Sequence, residues 1–199
     1  MSFPTSWFAA ALALALTPSA VLAQAAPSAE ARMLELGPEN ARIARRAGTW
    51  DVVLTSWASP GAQPTTTRMV AERKMVGPFL QEIIRFPKSP TGAEFQRIDY
   101  LSYNRVEGRW KYVSMDTRAA VGLMPAKSFG PGEPGRINVV FDPFAVAGPG
   151  SEVSGQMLSM DQVIIDGGPN RDSKEQRFML ADGTGRMWLA NRFEYARRL

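Results

Sequence analysis

The sequence contains neither cysteine nor histidine among its 199 residues. Without cysteine there are no disulfide bonds, no thiol nucleophile and no thiolate metal ligand. Without histidine there is no Ser–His catalytic pair and no histidine-ligated haem, and nearly all zinc sites are excluded. Acid–base chemistry is left to carboxylates and tyrosines. We therefore predict no catalytic residue, no metal site and no cofactor.

The amino-terminal segment is apolar and uncharged. Residues 7–16 form a continuous apolar run, residues 17–19 interrupt it, and residues 20–23 offer small side chains at the positions that a signal peptidase reads. The run is shorter than the roughly 20 residues of a membrane-spanning helix. This order predicts a cleavable signal peptide at residues 1–23. We expect an exported protein, periplasmic or secreted, with no stable membrane span after cleavage.

Basic residues outnumber acidic ones, 23 to 19, which gives a net charge of +4. They are scattered along the chain and cluster only at residues 42–46 and 197–198. They are not interleaved with aromatic residues as in nucleic-acid-binding surfaces. We predict no nucleic-acid partner, and the sequence does not indicate the oligomeric state.

The remaining chain has the pattern of one β-rich domain at residues 38–199, after a flexible lead-in at residues 24–37. Pro38 and Glu39 suit the start of a short helix over residues 38–47, which Gly48 ends. Stretches rich in β-branched and aromatic residues then alternate with turn signals, which predicts an antiparallel barrel or sandwich of about 8–10 strands. The stretches are residues 49–57, 67–76, 79–86, 95–103, 109–116, 136–141, 157–165, 174–181 and 186–195.

Two segments, residues 117–135 and 143–155, are rich in glycine and proline and long for hairpin loops. Such loops are either binding loops or surface loops without function. Residues 130–135 match the spacing of a dinucleotide-binding glycine motif. Their prolines remove amide donors and a strand follows, so we predict no nucleotide site there.

Four segments carry a resemblance to known barrels. They are AGTWDV at residues 47–52, VGPFLQE at 76–82, YNRVEGRWKYVSMD at 103–116 and FEYARR at 193–198. A short helix followed by Gly-x-Trp resembles the start of lipocalin-type (calycin) barrels. Order and spacing of all four are similar to the bacterial domain of unknown function 1579 family, over residues 44–198 except for the glycine- and proline-rich part at 126–155.

The resemblance implies an all-β, lipocalin-like (calycin) antiparallel barrel with one short amino-terminal helix. In calycin barrels the tryptophan, here Trp50, plugs one end beneath an arginine of a late strand, which would be Arg192 or Arg197. The family implies no settled activity, so no catalytic residue carries over to this chain.

Our leading hypothesis is a non-catalytic protein that binds a small apolar or amphipathic ligand in a barrel cavity. The strand containing Glu82 mixes apolar and polar residues on both faces, as a partly polar cavity requires. A buried Glu82 needs a cationic partner, which Arg73, Arg85 or Arg97 can supply. The candidate ligand-binding residues are Trp50, Glu82, Arg85, Tyr112, Asp116 and Trp188; packing and structural ion pairs are the alternative roles.

Two other functions remain open. The first is an enzyme of the isomerase or cyclase type that uses Asp, Glu, Tyr or Arg, for which Asp99 with Tyr100, or Tyr103 with Tyr112, would be acid–base pairs. The second is an envelope interaction module without a pocket, which a filled barrel and an exposed apolar surface would favour.

Overall fold

A computed structural model describes residues 26–118, 120–145 and 155–199. Two short helices precede ten strands in this part of the chain. The predicted signal peptide at residues 1–23 lies outside it. The elements are α1 (Ala29–Leu34), α2 (Pro38–Ala44), β1 (Gly48–Ser56), β2 (Thr65–Val76), β3 (Phe79–Arg85), β4 (Gln96–Asn104), β5 (Arg109–Asp116), β6 (Met124–Lys127), β7 (Arg136–Ala145), β8 (Met157–Asp166), β9 (Arg171–Leu180) and β10 (Met187–Arg197).

The strands form a closed antiparallel barrel in chain order, and β1 closes the ring by pairing with β10. Burial alternates from residue to residue along the strands, so that one face of each strand lines the interior of the closed ring. In β1, for example, Trp50, Val52 and Leu54 are buried while their neighbours are not. The predicted all-β antiparallel barrel is therefore confirmed, with a strand number inside the predicted range.

The predicted helix is α2, which covers one end of the barrel. Pro38 opens it, Ile43 is completely buried, and the Asn40 side chain exchanges hydrogen bonds with the backbone of Tyr103. The turns β2–β3, β4–β5, β6–β7 and β8–β9 lie at the same end, which we call the α2 end; the other is the far end.

Two elements depart from the sequence expectation. Helix α1 lies within the segment interpreted as a flexible lead-in, where Ser28 caps it. Strand β6 lies within the segment 117–135 interpreted as a loop. It is only four residues long and contains Pro125, so its sequence lacks a strand signal. No helix among the described residues combines the length and apolarity needed to cross a membrane.

Candidate functional site

Seven charged side chains lie inside the barrel, each between 2% and 7% exposed. They come from the segment that follows α2 and from strands β2, β3, β4 and β9. We call them the ionic cluster: Arg46, Arg73, Glu82, Arg97, Asp99, Asp172 and Lys174. Charged residues are almost never buried unless they are paired, so their partners decide what the cluster does.

Strand register brings Glu82 beside two members of the cluster. Glu82 pairs with Arg73 across β2–β3 and with Asp99 across β3–β4. Arg73 Nε lies 2.5 Å from Glu82 Oε2. Of the three predicted cationic partners of Glu82, the structure therefore selects Arg73.

Lys174 joins the two neighbouring carboxylates. Its Nζ donates to Glu82 Oε1 at 2.8 Å and to Asp99 Oδ2 at 2.9 Å. The Tyr195 hydroxyl also donates to Glu82 Oε1, at 3.1 Å. The carboxylate of Glu82 is thus held by three donors from three different strands.

The third carboxylate, Asp172, links the barrel wall to the segment that follows α2. Asp172 Oδ2 accepts from Arg46 Nε at 2.9 Å and from Arg73 Nη1. Arg46 Nη2 also lies 2.9 Å from Asp172 Oδ1, so the guanidinium faces both oxygens of the carboxylate.

The remaining cation, Arg97, donates from Nε to Asp99 at 2.9 Å. Its guanidinium also lies against the amide of Gln176. The amides of Gln162, Gln176 and Asn191 are hydrogen bonded in series at 2.7 and 2.9 Å. The ionic cluster therefore continues into a buried row of neutral polar groups.

Neighbouring charges move the pKa values of Glu82, Asp99 and Lys174 away from neutrality. Burial alone raises the pKa of Glu82, but the charges of Arg73 and Lys174 outweigh it and hold that pKa at about 2. Burial likewise opposes ionisation of Asp99 and Lys174, yet opposite charges lower the pKa of Asp99 and raise that of Lys174. Burial and the charge of Glu82 raise the pKa of Tyr195 to about 12.

The cluster contains one more cation than anion among the described residues. Its four cations are Arg46, Arg73, Arg97 and Lys174, and its three anions are Glu82, Asp99 and Asp172. Burial and the charge of Arg73 lower the pKa of Arg46. Because an uncompensated buried charge is costly, this imbalance favours an additional negative group in the cluster.

A cavity of about 30 Å³ lies beside the ionic cluster and is bordered by Arg46, which follows α2. A cavity needs roughly 10–15 Å³ to hold one water molecule, so this one has room only for water or a very small molecule. Sites for drug-sized ligands measure roughly 300 Å³ or more. Its lining combines charged and apolar side chains, which are Arg46, Arg73, Leu80, Glu82, Asp99, Leu101, Tyr112, Ile164 and Lys174.

Aromatic side chains fill the barrel from the cluster towards the far end. Tyr112, Phe141, Phe144, Phe178 and Trp188 form a series of edge-to-face contacts with ring centres 5.5–6.3 Å apart. Such contacts are close-packed and favourable. The far half of the interior is therefore occupied largely by the side chains of the protein itself.

The structure brings some of the predicted ligand-binding residues together and separates others. Glu82 and Tyr112 line the cavity, and Trp50 lies beside the cluster, 4.7 Å below the Arg73 guanidinium. Trp188 packs towards the far end, where Asp116 forms an ion pair with Arg118. The structure thus leaves two of the six near the cavity, with Trp50 behind them.

Arg85 is a correction. The hypothesis placed it inside the barrel as a partner of Glu82 or of a ligand. It lies on the outer face, half exposed, with Nη1 3.0 Å from Glu72. The physical reason is strand alternation: Glu82 points inward with Leu80 and Ile84, so Arg85 has the opposite orientation.

The two acid–base pairs considered from the sequence are also wrong as pairs. Asp99 is buried in the cluster, whereas Tyr100, its neighbour on β4, is partly exposed and hydrogen bonds to Gln81. Tyr103 packs against Trp110 instead of Tyr112. The buried tyrosines that contact carboxylates are Tyr112 and Tyr195.

Four members of the cluster were missed as site residues from the sequence: Arg46, Asp99, Asp172 and Lys174. Asp99 had been considered only with Tyr100. The available signal for Lys174 was its position two residues after Asp172 on one strand, since residues two apart share a face. A single strand does not reveal which of its faces is inside.

Comparisons with known proteins agree with this architecture. Residues 35–127 match the model of a family described as protein of unknown function (DUF1579). The match begins before α2 and ends with β6, where the glycine- and proline-rich departure had been placed. The family recognised from the sequence is thereby confirmed over these residues, and FEYARR lies beyond them. No curated protein matches the chain.

The barrel is also similar to a solved structure, the crystal structure of Rv2717c from M. tuberculosis. The TM-score is 0.55 at 15% sequence identity, and the alignment covers 83% of this chain and 100% of that one. At this identity the likeness concerns the fold alone.

Proposed function

We propose that this chain, which contains a domain of the DUF1579 family, is a binding protein for a small amphipathic molecule with a carboxylate or similar anionic group. The observation that carries the proposal is the cavity lining, in which three cations, Arg46, Arg73 and Lys174, face two carboxylates and an apolar wall. A carboxylate beside Arg46 and Arg73 balances the buried charge. A short alkyl chain contacts Leu80, Leu101 and Ile164.

The size of the cavity narrows the ligand class that the sequence suggested. A volume of about 30 Å³ suits a molecule of a few heavy atoms, not a long acyl chain. Long apolar ligands would also have to displace the packed aromatic series. The ligand is therefore a short-chain carboxylate or a molecule of similar size and charge.

The ionisation states support binding over acid–base catalysis. A general acid or base works best when its pKa lies near the operating pH. Opposing charges hold the pKa of Glu82 at about 2, although burial raises it, and burial raises that of Tyr195 to about 12. At neutral pH the cluster is thus a fixed set of charges, which is suited to recognising an ion.

Calorimetric titration with acetate and with acetamide, which are small enough for a cavity of this size, tests this proposal. The two differ in charge and hardly in shape, so we expect heat of binding with acetate only. Arg46→Met lowers the affinity for acetate at least about tenfold, since it removes one of the cations that line the cavity. The neighbouring exposed cation gives a matched control, Arg45→Met, which retains the affinity.

Arg46→Met leaves three cations and three anions in the cluster, so the variant keeps a balanced interior. Thermal unfolding verifies that it is folded. Equal binding of acetate and acetamide contradicts the proposal, and so does the absence of binding by both.

We also propose that binding takes place outside the cytoplasm, on the basis of the leader at residues 1–23. Expression of the full chain in a Gram-negative host followed by fractionation tests this. The expected product is periplasmic or secreted and begins at Gln24. A cytoplasmic product that retains residues 1–23 contradicts it.

A further inference from the structure

Exposed apolar side chains are concentrated at one end of the barrel. Of the eleven large apolar side chains that are exposed in the described residues, eight lie at the α2 end. Phe129, in the β6–β7 turn, is 86% exposed. Single exposed apolar residues are normal, but this one-sided distribution indicates an interaction surface.

These side chains come from several separate segments. Phe79 and Val106 lie at the β2–β3 and β4–β5 turns, and Met33, Leu34 and Leu36 belong to α1 and the residues after it. Arg105 ties that last segment to the β4–β5 turn through the backbone oxygen and side chain of Glu35. The apolar side chains therefore do not form one continuous face. They stand on separate segments at one end of the barrel, and we call them the apolar tips.

The same end carries an excess of positive charge. In the segments that form it, and without the buried Arg46, lysine and arginine outnumber aspartate and glutamate twelve to six, although the whole chain has 23 against 19. The rest of the chain thus has more acidic than basic residues. The segments are residues 29–48, 74–79, 103–111, 127–136, 165–171 and 196–199.

We propose that the α2 end docks on a bilayer surface that contains anionic lipids. The apolar tips enter the headgroup region, and the basic residues between them contact lipid phosphates. Apolar residues interspersed with arginine and lysine are typical of membrane-surface binding. The burial of apolar side chains in the bilayer and the attraction of basic side chains to anionic lipids both contribute to the binding free energy. A protein interface, by contrast, usually has an apolar centre that is depleted of charge.

Co-sedimentation of the mature chain with vesicles tests this proposal. We expect binding to vesicles of equal parts phosphatidylcholine and phosphatidylglycerol, weaker binding as salt is raised, and little binding to pure phosphatidylcholine. The double variant Phe79→Ser with Phe129→Ser lowers partitioning at least about tenfold. Met157→Ser with Met187→Ser, two residues equally exposed at the far end, leaves it unchanged.

Four results overturn the proposal. Three of them are no binding to the phosphatidylglycerol vesicles at low salt, equal binding to pure phosphatidylcholine, and equal loss of binding in both double variants. A fourth is concentration-dependent self-association that Phe79→Ser with Phe129→Ser abolishes in ultracentrifugation, because the surface then belongs to a protein contact. Arg46→Met leaves vesicle binding unchanged, which separates this proposal from the ligand proposal.

Discussion

Arg197 stacks on Trp50 at the point where the last strand meets the first, with the guanidinium carbon 4.3 Å from the ring centre. Arg197 also donates hydrogen bonds to the backbone oxygens of Ala47, Arg45 and Pro169 at 2.5–2.8 Å. One side chain thus fastens the end of β10 to the segment between α2 and β1. Of the two arginines that the lipocalin resemblance offered, the structure selects Arg197; Arg192 lies on the outer face with Glu175.

Arg197→Ala is expected to destabilise the protein by about 2 kcal/mol. It removes one cation–π contact and three hydrogen bonds to carbonyl groups, of which each type contributes about 0.5–1 kcal/mol at a partly exposed site. Urea unfolding followed by tryptophan fluorescence measures the change. Arg198→Ala, which removes a fully exposed pair with Asp51, is the control and has little effect. If the two variants lose equal amounts of unfolding free energy, Arg197 does not have the fastening role described above.

Gly48→Ala is expected to cost about 2 kcal/mol. Gly48 has φ +133°, a conformation that residues with a side chain rarely adopt, and an added Cβ would lie 2.6 Å from Arg197 Nη1. Because Arg197 is held by three carbonyls, it does not move away freely. In a double-mutant cycle, Gly48→Ala should destabilise the Arg197→Ala variant less than it destabilises the unmodified chain, because only the backbone strain remains. If the two changes in unfolding free energy simply add, the steric contact is ruled out.

Lys174→Met is expected to destabilise the protein by about 3–5 kcal/mol, because it leaves Glu82 and Asp99 buried with fewer cationic partners. Lys127→Met, on an exposed position of β6, is the matched control and changes the free energy of unfolding by less than about 0.5 kcal/mol. Chemical denaturation of both variants gives the comparison. A small cost for Lys174→Met would mean that the carboxylates are not held by that amine.

The stability of the barrel is expected to fall steeply in acid. Burial raises the pKa of Glu82, but Arg73 and Lys174 outweigh it, so the pKa is about 2 in the folded chain against an ordinary 4.5. A carboxyl with a lowered pKa stabilises the folded state above its unfolded value, and this contribution is lost as the pH falls through the folded value. About 3 kcal/mol should therefore disappear between pH 4.5 and pH 2.

Urea midpoints measured across that range test the acid prediction. Glu72→Gln, at an exposed acidic position on the outer face, is the control, and its stability should fall in acid as much as that of the unmodified chain. Glu82→Gln, even if less stable at neutral pH, shows a shallower decline in acid. An unchanged slope in Glu82→Gln contradicts the assignment of the titration to this group.

Much of the fold follows from local sequence. Nine strands carry alternating or β-branched residues between turn signals, and only β6 is missing from the prediction. Four residues with Pro125 in the second position give no strand signal; they pair because β5 and β7 lie on either side. Helix α1 was missed for a related reason, since six residues are too few for a clear period.

The site is much less predictable because it depends on strand orientation. Glu82 was expected to be buried with an arginine, but the choice between Arg73 and Arg97 needs the register of β3 with both of its neighbours, whereas alternation along β3 alone excludes Arg85. Lys174 and Asp172 belong to a strand with charged residues on both faces, so its pattern does not reveal the inner one. Arg46 follows the carboxyl end of a helix. A cation at such a position is ordinarily a surface residue that interacts with the helix dipole, so its burial is not indicated by the sequence.

The short strand β6 makes the ring of hydrogen bonds uneven. Only two residue pairs join β6 to β7 and four join it to β5, whereas the ladders β4–β5 and β7–β8 have eight each. Local unfolding of the barrel should therefore begin at this junction. It would briefly convert the closed ring into an open sheet with two free edges. Deuterium uptake would then be fastest at Ala126 and Lys127, and slow proteolytic nicking or chain exchange between molecules would begin at the same junction.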